Sequence, residues 1–182
     1  MSKKTIFIIM VIFTILSFMG ISFGEGLKIG TVAPFFRVKS GEDKELTLDM
    51  IKGKVIVIFY ETKDVVEKNR QLKDELNKFY NDQPKTVKEL IVRLPIINCS
   101  SAFWPFAGIW KSKLNENSKR EGITIYGDWD GKMFSDYKMK DKESNVLIID
   151  KKGIIRYTVF GKVEDKEISE IKELLKEIGN EK

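Results

Sequence analysis

Continuous apolar runs alternate with amphipathic segments along the chain. Lys54–Glu61 (KVIVIFYE) contains β-branched and aromatic residues without polar alternation, which predicts a strand buried on both faces of a sheet. From Asp64 to Tyr80 the apolar positions recur at helical spacing, so we expect a helix with Asp64 as its N-cap. A second strand region, Val87–Asn98, follows. The first half of the chain therefore predicts a β-α-β order of elements.

The period of the pattern changes again after the second strand. Pro105 is expected in the first turn of another helix. The apolar stripe of this helix would consist of Phe106, Ile109, Trp110 and Leu114. Ile123–Tyr126 is predicted as a short strand, and Asp130–Gly131 as a turn. These segments add a helix and a strand to the order.

The C-terminal part predicts a hairpin and a helix. Asn145–Asp150 and Gly153–Phe160 are apolar runs that flank Lys151–Lys152, which is the pattern of a β-hairpin. An amphipathic helix follows, and Glu164 and Asp165 favour its N-terminus. The complete order is β, α, β, α, short β, hairpin, α. It predicts an α/β protein with a central mixed β-sheet, helices on both faces, and a C-terminal β-hairpin and helix.

Residues 1–24 have the pattern of an export signal. Two lysines precede an apolar run, Ile6–Met19, and the small residues Ser22 and Gly24 suit a signal-peptidase site. We therefore predict a cleaved signal peptide, a periplasmic location, and a single domain over residues 25–182. The alternative is an uncleaved inner-membrane anchor, because the segment is just long enough to span a bilayer.

The charge balance of the chain argues against a nucleic-acid partner. The sequence has 32 Lys and Arg against 27 Asp and Glu, a net charge of +5, and the predicted signal peptide removes two lysines, which leaves +3. The remaining lysines alternate with acids along the predicted helices, whereas nucleic-acid binding requires clustered basic residues. Membrane contact is expected only if the N-terminal segment is retained as an anchor.

Three segments, Gly30–Phe36, Gly53–Tyr60 and Asn145–Ile155, resemble thioredoxin-fold proteins of the redoxin and peroxiredoxin type. Gly30–Phe36 (GTVAPFF) and Gly53–Tyr60 (GKVIVIFY) are similar to the opening of these proteins. Asn145–Ile155 (NVLIIDKKGII) is similar to the hairpin of the same superfamily. The resemblance implies a thioredoxin-like domain, in agreement with the predicted order of elements.

A narrower resemblance is to the YtfJ family of small periplasmic proteins. Ile97–Lys119 (INCSSAFWPFAGIWKSKLNENSK) resembles the middle of that family, and the run from Asp128 through Asp136 to Ile155 resembles its C-terminal half. Within that run, Glu143–Gly153 (ESNVLIIDKKG) is the most specific piece. Membership implies a periplasmic thioredoxin-like fold and no assigned reaction.

The residues that thioredoxin-type chemistry needs are missing from their usual place. That chemistry uses a thiolate at the N-terminus of the helix after the first central strand, and a second Cys resolves the mixed disulfide. Here the loop Glu61–Val66 contains no Cys, and Thr62 is interpreted as a turn or capping residue. No Pro occurs at Ser144–Asn145, where thioredoxins have a cis-proline before the hairpin. The chain also has no His, the commonest general base.

Cys99 is the only thiol of the chain and follows the predicted strand that ends at Asn98. Its neighbours Ser100, Ser101 and Ala102 are uncharged, so nothing nearby in the sequence would lower its pKa. One interpretation is a small, partly buried structural residue. The alternative is a functional thiol, either a sensor or one half of an intermolecular disulfide.

Asp128, Asp130 and Asp136 raise the question of calcium, because calcium loops combine spaced carboxylates with a glycine turn. A calcium loop also has a third acid near its start and a glutamate that binds the ion through both carboxylate oxygens. This segment has neither, and Lys132 places a positive charge inside it. We therefore expect an Asp-Gly turn with solvated acids, and no metal ion or other cofactor. A hydrolase built on carboxylates is a third functional hypothesis, although no particular pair of acids is marked.

An aromatic cluster lies between Cys99 and the second predicted helix. Its members are Phe103, Trp104, Phe106 and Trp110. One interpretation is a core helix with its entry loop, and the other is an exposed patch that docks a partner. The preferred function is a non-catalytic binding protein of the cell envelope, whose partner is an envelope protein or a small ligand. The alternative function is a single-cysteine thiol-redox protein that uses Cys99.

Overall fold

The structure, a computed structural model, describes residues 27–180, and the predicted signal peptide lies outside them. Within this part of the chain the strands are β1 (Arg37–Ser40), β2 (Glu45–Thr47), β3 (Val55–Glu61), β4 (Ile91–Asn98), β5 (Tyr126–Asp128), β6 (Asn145–Ile149) and β7 (Ile155–Phe160). The helices are α1 (Arg70–Asn81), α2 (Lys85–Lys88), α3 (Ala107–Glu121), α4 (Lys132–Asp136) and α5 (Asp165–Asn180), and a 3₁₀ helix spans Asp49–Ile51. None of these helices is long and apolar enough to cross a membrane.

All the strands join one sheet in the order β2-β1-β5-β4-β3-β6-β7. The central strands β3, β4 and β5 run parallel to one another. On one side β1 pairs with β5 in the antiparallel sense, and on the other side β6 pairs with β3 in the same sense. This arrangement is the mixed sheet of the predicted α/β fold, which is confirmed.

The strand β3 lies at the centre of this sheet. All seven of its side chains are buried, because the run VIVIFYE places apolar groups on both faces. The neighbouring strand β6 is also buried along its whole length and forms an antiparallel hairpin with β7. The predicted central strand, C-terminal hairpin and C-terminal helix are therefore confirmed.

A hydrophobic core covers each face of the sheet. On one face the helices α1 and α5 contribute Leu72, Leu76, Phe79, Ile168, Ile171, Leu175 and Ile178. On the other face the 3₁₀ helix, the short helix α4 and the chain around them contribute Phe36, Ile51, Met133, Tyr137 and Met139. Helices thus flank both faces as expected, but the long helices of these two cores lie on one face.

Several element boundaries differ from the predicted ones. The helix α1 begins at Arg70 and not at Asp64, because the preceding residues form successive turns in which backbone N–H groups donate three residues back. The strand β4 begins at Ile91, since the residues after Pro84 form the helical turn α2. Asp64 is therefore not an N-cap. The short strand lies later than predicted and ends at Asp128.

The helix α3 does not have the expected core stripe. Of its described side chains only Leu114 is buried, while Phe106 and Ile109 are exposed. The helix lies against the β1–β2 turn, where Gly41 is so close that a Cβ atom there would be 2.3 Å from the carbonyl oxygen of Lys111. Backbone proximity, rather than a row of apolar side chains, therefore fixes this helix.

We expect Gly41→Ala to lower the free energy of unfolding by about 1–3 kcal/mol, because the new methyl group would overlap the Lys111 carbonyl. The matched control is Gly108→Ala in α3, the helix that contains Lys111, because a Cβ atom at Gly108 would meet nothing within 4 Å. Helix propensity favours alanine at Gly108 by up to about 1 kcal/mol. Urea unfolding measures both variants, and an unchanged stability of Gly41→Ala would contradict the close contact.

Candidate functional site

Four strand ends meet at one edge of the sheet, which we call the carboxyl edge. The strands β3 and β4 end side by side at Glu61 and Asn98, and β5 ends at Asp128 opposite Asn98. The antiparallel strand β6 begins at the same edge with Asn145. Open α/β sheets bind ligands outside the carboxyl ends of their strands. Thioredoxin-type redox groups would also lie here, in the loop after β3.

A buried ion pair occupies this position instead of a thiol. Lys73 Nζ, from α1, donates to Glu61 Oε2 (2.7 Å) and to the carbonyl oxygen of Val66 (2.6 Å). Ser144 Oγ donates to the other carboxylate oxygen, Glu61 Oε1 (2.7 Å). Both oxygens of the buried carboxylate therefore have a donor, as a charge removed from water requires.

Asn69 connects this ion pair to the rest of the carboxyl edge. Its Nδ2 donates to Ser144 Oγ (2.9 Å) and to the Gly161 carbonyl (2.8 Å), and its Oδ1 accepts from the Val163 N–H (2.9 Å). The side chain therefore makes no capping bond to its own helix. It fixes the start of α1 against the segments that flank the β6–β7 hairpin, which explains why the helix begins here and not at Asp64.

Burial raises the pKa of Glu61, and the charge of Lys73 and the hydrogen bonds from Lys73 and Ser144 oppose this shift. The network links its donors and acceptors to one another and contains no thiol. Thr62, the next residue, lies in a turn in which its carbonyl accepts from the Val65 N–H (3.1 Å). Its hydroxyl has no hydrogen-bond partner among the described residues, so the turn is confirmed and the capping role is wrong.

Cys99 lies immediately after β4 and is fully buried. Its backbone N–H donates to the carbonyl oxygen of Asp128 (2.9 Å), which extends the contact between β4 and β5. Burial, together with the nearby charge of Asp128, raises the pKa of the thiol to about 12. Because the thiolate is the reactive form, the geometry favours the structural interpretation of Cys99 over the functional one.

Asp128 is a buried carboxyl group that the sequence pattern placed among solvated acids. Tyr60 Oη (2.8 Å) and the Phe134 N–H (2.9 Å) both donate to its Oδ2, whereas Oδ1 has no hydrogen-bond partner among the described residues. Burial raises the pKa of Asp128, and the neighbouring Asp130 adds to this effect. The expectation of a solvated acid is wrong here, because β5 extends to Asp128 and α4 packs against it.

The three acids of this segment do not converge on one point. Asp130 Oδ1 accepts from the Lys132 N–H (2.9 Å), and Asp136 pairs with Lys132 Nζ (2.7 Å). Across residues 27–180, no group of three His, Cys, Asp or Glu side chains is arranged to hold a metal ion. Asp130 and Asp136 therefore stabilise the turn and the helix α4 through their contacts with Lys132.

The loop between β4 and α3 exposes three aromatic rings. The accessible fraction is 67% for Phe103, 87% for Trp104 and 49% for Phe106. The rings of Phe103 and Phe106 meet edge to face, with centroids 5.6 Å apart. Trp110, the fourth member of the predicted cluster, is half-buried in α3. We call Phe103, Trp104 and Phe106 the aromatic patch, and its exposure excludes the interpretation of these rings as core residues.

A family model for a bacterial protein of unknown function (YtfJ_HI0045) matches residues 40–178. The chain belongs to this family. The match includes the whole carboxyl edge, the aromatic patch and the hairpin, and it confirms the resemblance of the sequence to YtfJ proteins. No curated protein sequence matches the chain. Family membership does not by itself supply a reaction.

Solved structures share this fold. A Bacteroides thetaiotaomicron protein, provisionally named a protein disulfide isomerase, is 19% identical with a TM-score of 0.63, over 85% of this chain and 92% of its own. A thiol peroxidase from Chromobacterium violaceum is 14% identical with a TM-score of 0.63, over 85% and 89%. The exposed lipoprotein thioredoxin of Streptococcus pneumoniae strain TIGR4 is 17% identical with a TM-score of 0.56, over 79% and 99%. At these identities the likeness shows the fold alone.

We expect Cys99 in the folded protein to react with a chromogenic disulfide reagent at neutral pH about 100-fold or more slowly than in the urea-unfolded protein. The reason is that burial both raises the thiol pKa and excludes the reagent. Release of the chromophore measures the rate, and Cys99→Ser provides the blank. Rapid stoichiometric labelling of the folded protein would contradict the structural interpretation.

We expect Lys73→Met to lower the free energy of unfolding by about 3 kcal/mol near pH 8, because it leaves Glu61 as an unpaired buried charge. Without the lysine, the pKa of Glu61, already raised by burial, rises further. A carboxyl group whose pKa is raised in the folded state binds more protons there than in the unfolded state. The loss should therefore shrink as the pH falls toward 5, as urea unfolding can measure.

The matched control is Lys78→Met on the same helix, because Lys78 pairs with Glu75 at an exposed position. We expect little change in its stability. The double variant Glu61→Gln/Lys73→Met removes the buried charge and keeps an acceptor for Ser144, so it should recover much of the loss. A loss of equal size at pH 5 and pH 8 would show that the charge of Glu61 is not its cause.

Proposed function

We propose that this protein is an exported, non-catalytic binding protein that docks a protein of the bacterial cell envelope through the aromatic patch. The observation that carries this proposal is the exposure of Phe103, Trp104 and Phe106 in the loop that leaves the carboxyl edge after β4. In the thioredoxin fold this edge is where the reacting groups lie. Here it presents the aromatic patch, and the Glu61 carboxylate at the end of β3 is engaged in buried hydrogen bonds.

Two features of the carboxyl edge support a binding role over thiol chemistry. The loop after β3 contains no thiol, and Glu61 at the end of β3 pairs with Lys73 of α1, so that both oxygens of the carboxylate are already used. The one thiol, Cys99, is buried and its pKa is raised to about 12. A redox function for Cys99 would require the strand end to open before the thiol could meet a substrate.

The composition of the patch suits a protein partner. Tryptophan and other aromatic residues are enriched at the energetic centres of protein interfaces, and an exposed group of such rings is uncommon on a surface without a partner. The nearest lysines on α3 do not favour anionic lipid: Lys111 pairs with Asp43 and Lys113 with Glu116. We therefore favour a partner that offers an apolar pocket to Trp104.

The proposed location follows from the N-terminal sequence. The two lysines, the apolar run and the small residues of 1–24 fit a signal peptide. One of the similar solved structures is an exposed lipoprotein thioredoxin, so this fold does occur outside the cytoplasm. An envelope partner is the class of protein that an exported chain can meet.

Photocrosslinking in intact cells tests the docking surface. A photoreactive phenylalanine analogue at Trp104 should form a discrete adduct with one envelope protein. Excess wild-type protein should reduce the amount of this adduct by competing for the partner. A competitor with Phe103→Ser, Trp104→Ser and Phe106→Ser should fail to do so. The control position is Met50, which is 64% exposed but lies before β3 at the opposite edge of the sheet, and it should give no such adduct.

Three results would contradict this proposal. Adducts that form equally from Met50, or that the patch variant competes as well as wild type, would show that the patch is not the docking surface. Adducts with lipid alone would make it a membrane contact. Peroxide or disulfide turnover that is lost in Cys99→Ser would establish the thiol-redox alternative instead.

A further inference from the structure

A cleft of about 390 Å³ opens between α1 and α3, on the face of the sheet formed by β3 and β4. Its floor is largely apolar and includes Val57, Phe59, Pro95 and Ile97, and Leu114 of α3 forms part of one wall. No residue of the aromatic patch lines it. The volume lies in the range of small-molecule sites.

The cleft exists because α3 stands away from the sheet. Leu114 is the one buried side chain among those described for this helix, so its C-terminal half does not pack on the strands beneath it. At the end of the cleft Arg70 of α1 pairs with Glu121 of α3 (3.2 Å), which bridges the two helices. The cleft therefore lies between two helices and not between loops.

The positive charges around the cleft are of two kinds. Arg70 pairs with Glu67 and Glu121, Lys73 pairs with Glu61, and Arg120 pairs with Glu121. These side chains are already neutralised by neighbouring carboxylates. They shape the walls but have little charge left for a ligand.

Arg93, on β4, is different. Its Nη1 donates to Asn77 Oδ1, and its guanidinium carbon lies 4.1 Å from the centroid of the Tyr80 ring. No carboxylate within residues 27–180 forms an ion pair with it. Asn77 uses one of the five N–H donors of a guanidinium, so the fork geometry that binds carboxylates remains available. Stacking on Tyr80 and the bond to Asn77 hold the group in place.

We propose that this cleft binds a small amphiphile with one apolar chain and a carboxylate head group. The carboxylate pairs with Arg93, and the chain lies along the apolar floor over Pro95 and Ile97 toward Leu114. A single guanidinium without a carboxylate partner matches a single negative charge, which favours a carboxylate over a phosphate dianion. This site is independent of the aromatic patch and stands whether or not the patch docks a protein.

Calorimetric titration of the purified protein tests the site with three probes. Decanoate combines the chain and the charge, acetate has the charge alone, and decyltrimethylammonium has the chain with the opposite charge. We expect saturable one-to-one binding of decanoate and no measurable binding of acetate. The cationic probe should bind at least about tenfold more weakly than decanoate. Vesicles of phosphatidylglycerol provide a fourth arm, in which no binding that depends on Arg93 is expected.

Variants identify the residues responsible. Arg93→Gln should weaken decanoate binding about tenfold or more, and it should leave binding of the cationic probe unchanged or make it stronger, because a like charge is removed. The matched control, Arg120→Gln, removes a cleft guanidinium that Glu121 already neutralises and should change decanoate affinity less than about threefold. Ile97→Trp should fill the floor and abolish binding of both amphiphiles. Thermal unfolding of each variant verifies that the fold is intact.

The outcomes separate cleanly. Equal affinity for decanoate and the cationic probe, or an unchanged affinity in Arg93→Gln, would show adsorption to apolar surface and overturn the proposal. Binding that survives Ile97→Trp would place the ligand elsewhere. If the protein bound phosphatidylglycerol vesicles but not decanoate, the small-amphiphile proposal would be wrong and the ligand would be a lipid surface.

Discussion

The burial of β3 on both faces is the constraint on which the rest of the structure depends. A strand that is enclosed by two cores cannot end in a charged side chain unless that charge is paired and hydrogen-bonded. Glu61 is that side chain, and it is buried at the end of the strand. Its carboxylate requires Lys73 on α1 and Ser144 before β6, and Ser144 in turn is held by Asn69. The start of α1 and the hairpin are thus positioned by one carboxylate.

The elements that depend on local pattern were predictable from the sequence. The run VIVIFYE, the two apolar runs of the hairpin and the C-terminal amphipathic helix each specify their structure through their own residues. The start of α1 was not predictable, because Asp64 is a good local N-cap and the actual start is set by contacts that Asn69 makes about ninety residues along the chain. The burial of Asp128 was missed partly for the same reason, because its hydrogen bond from Tyr60 joins residues 68 positions apart. Its other contact, with Phe134 of α4, is close in the sequence, but the segment was interpreted as a solvated turn.

The helix α3 shows how an apolar spacing can mislead. Phe106, Ile109 and Leu114 have the spacing of a buried stripe, yet Leu114 alone is buried. The helix is fixed at one side by backbone contact with Gly41 and at its end by the Arg70–Glu121 pair. Its N-terminal apolar residues are consequently left at the surface, and its C-terminal half leaves the cleft open. The aromatic patch and the cleft therefore have one structural origin, although they present different chemistry.

The electrostatics of the carboxyl edge disfavour a thiolate at the end of β4. A helix N-terminus stabilises a thiolate only within its first turn, and here residues 62–69 separate the end of β3 from the start of α1. A thiol placed directly after β3 would instead lie beside the carboxylate of Glu61, whose charge Lys73 already balances. Cys99, at the end of the next strand, has the same kind of neighbour in Asp128, and its pKa is raised. Both strand ends that could hold a thiol thus adjoin a carboxyl group. The exposed apolar rings of the aromatic patch therefore carry the binding role proposed for this edge.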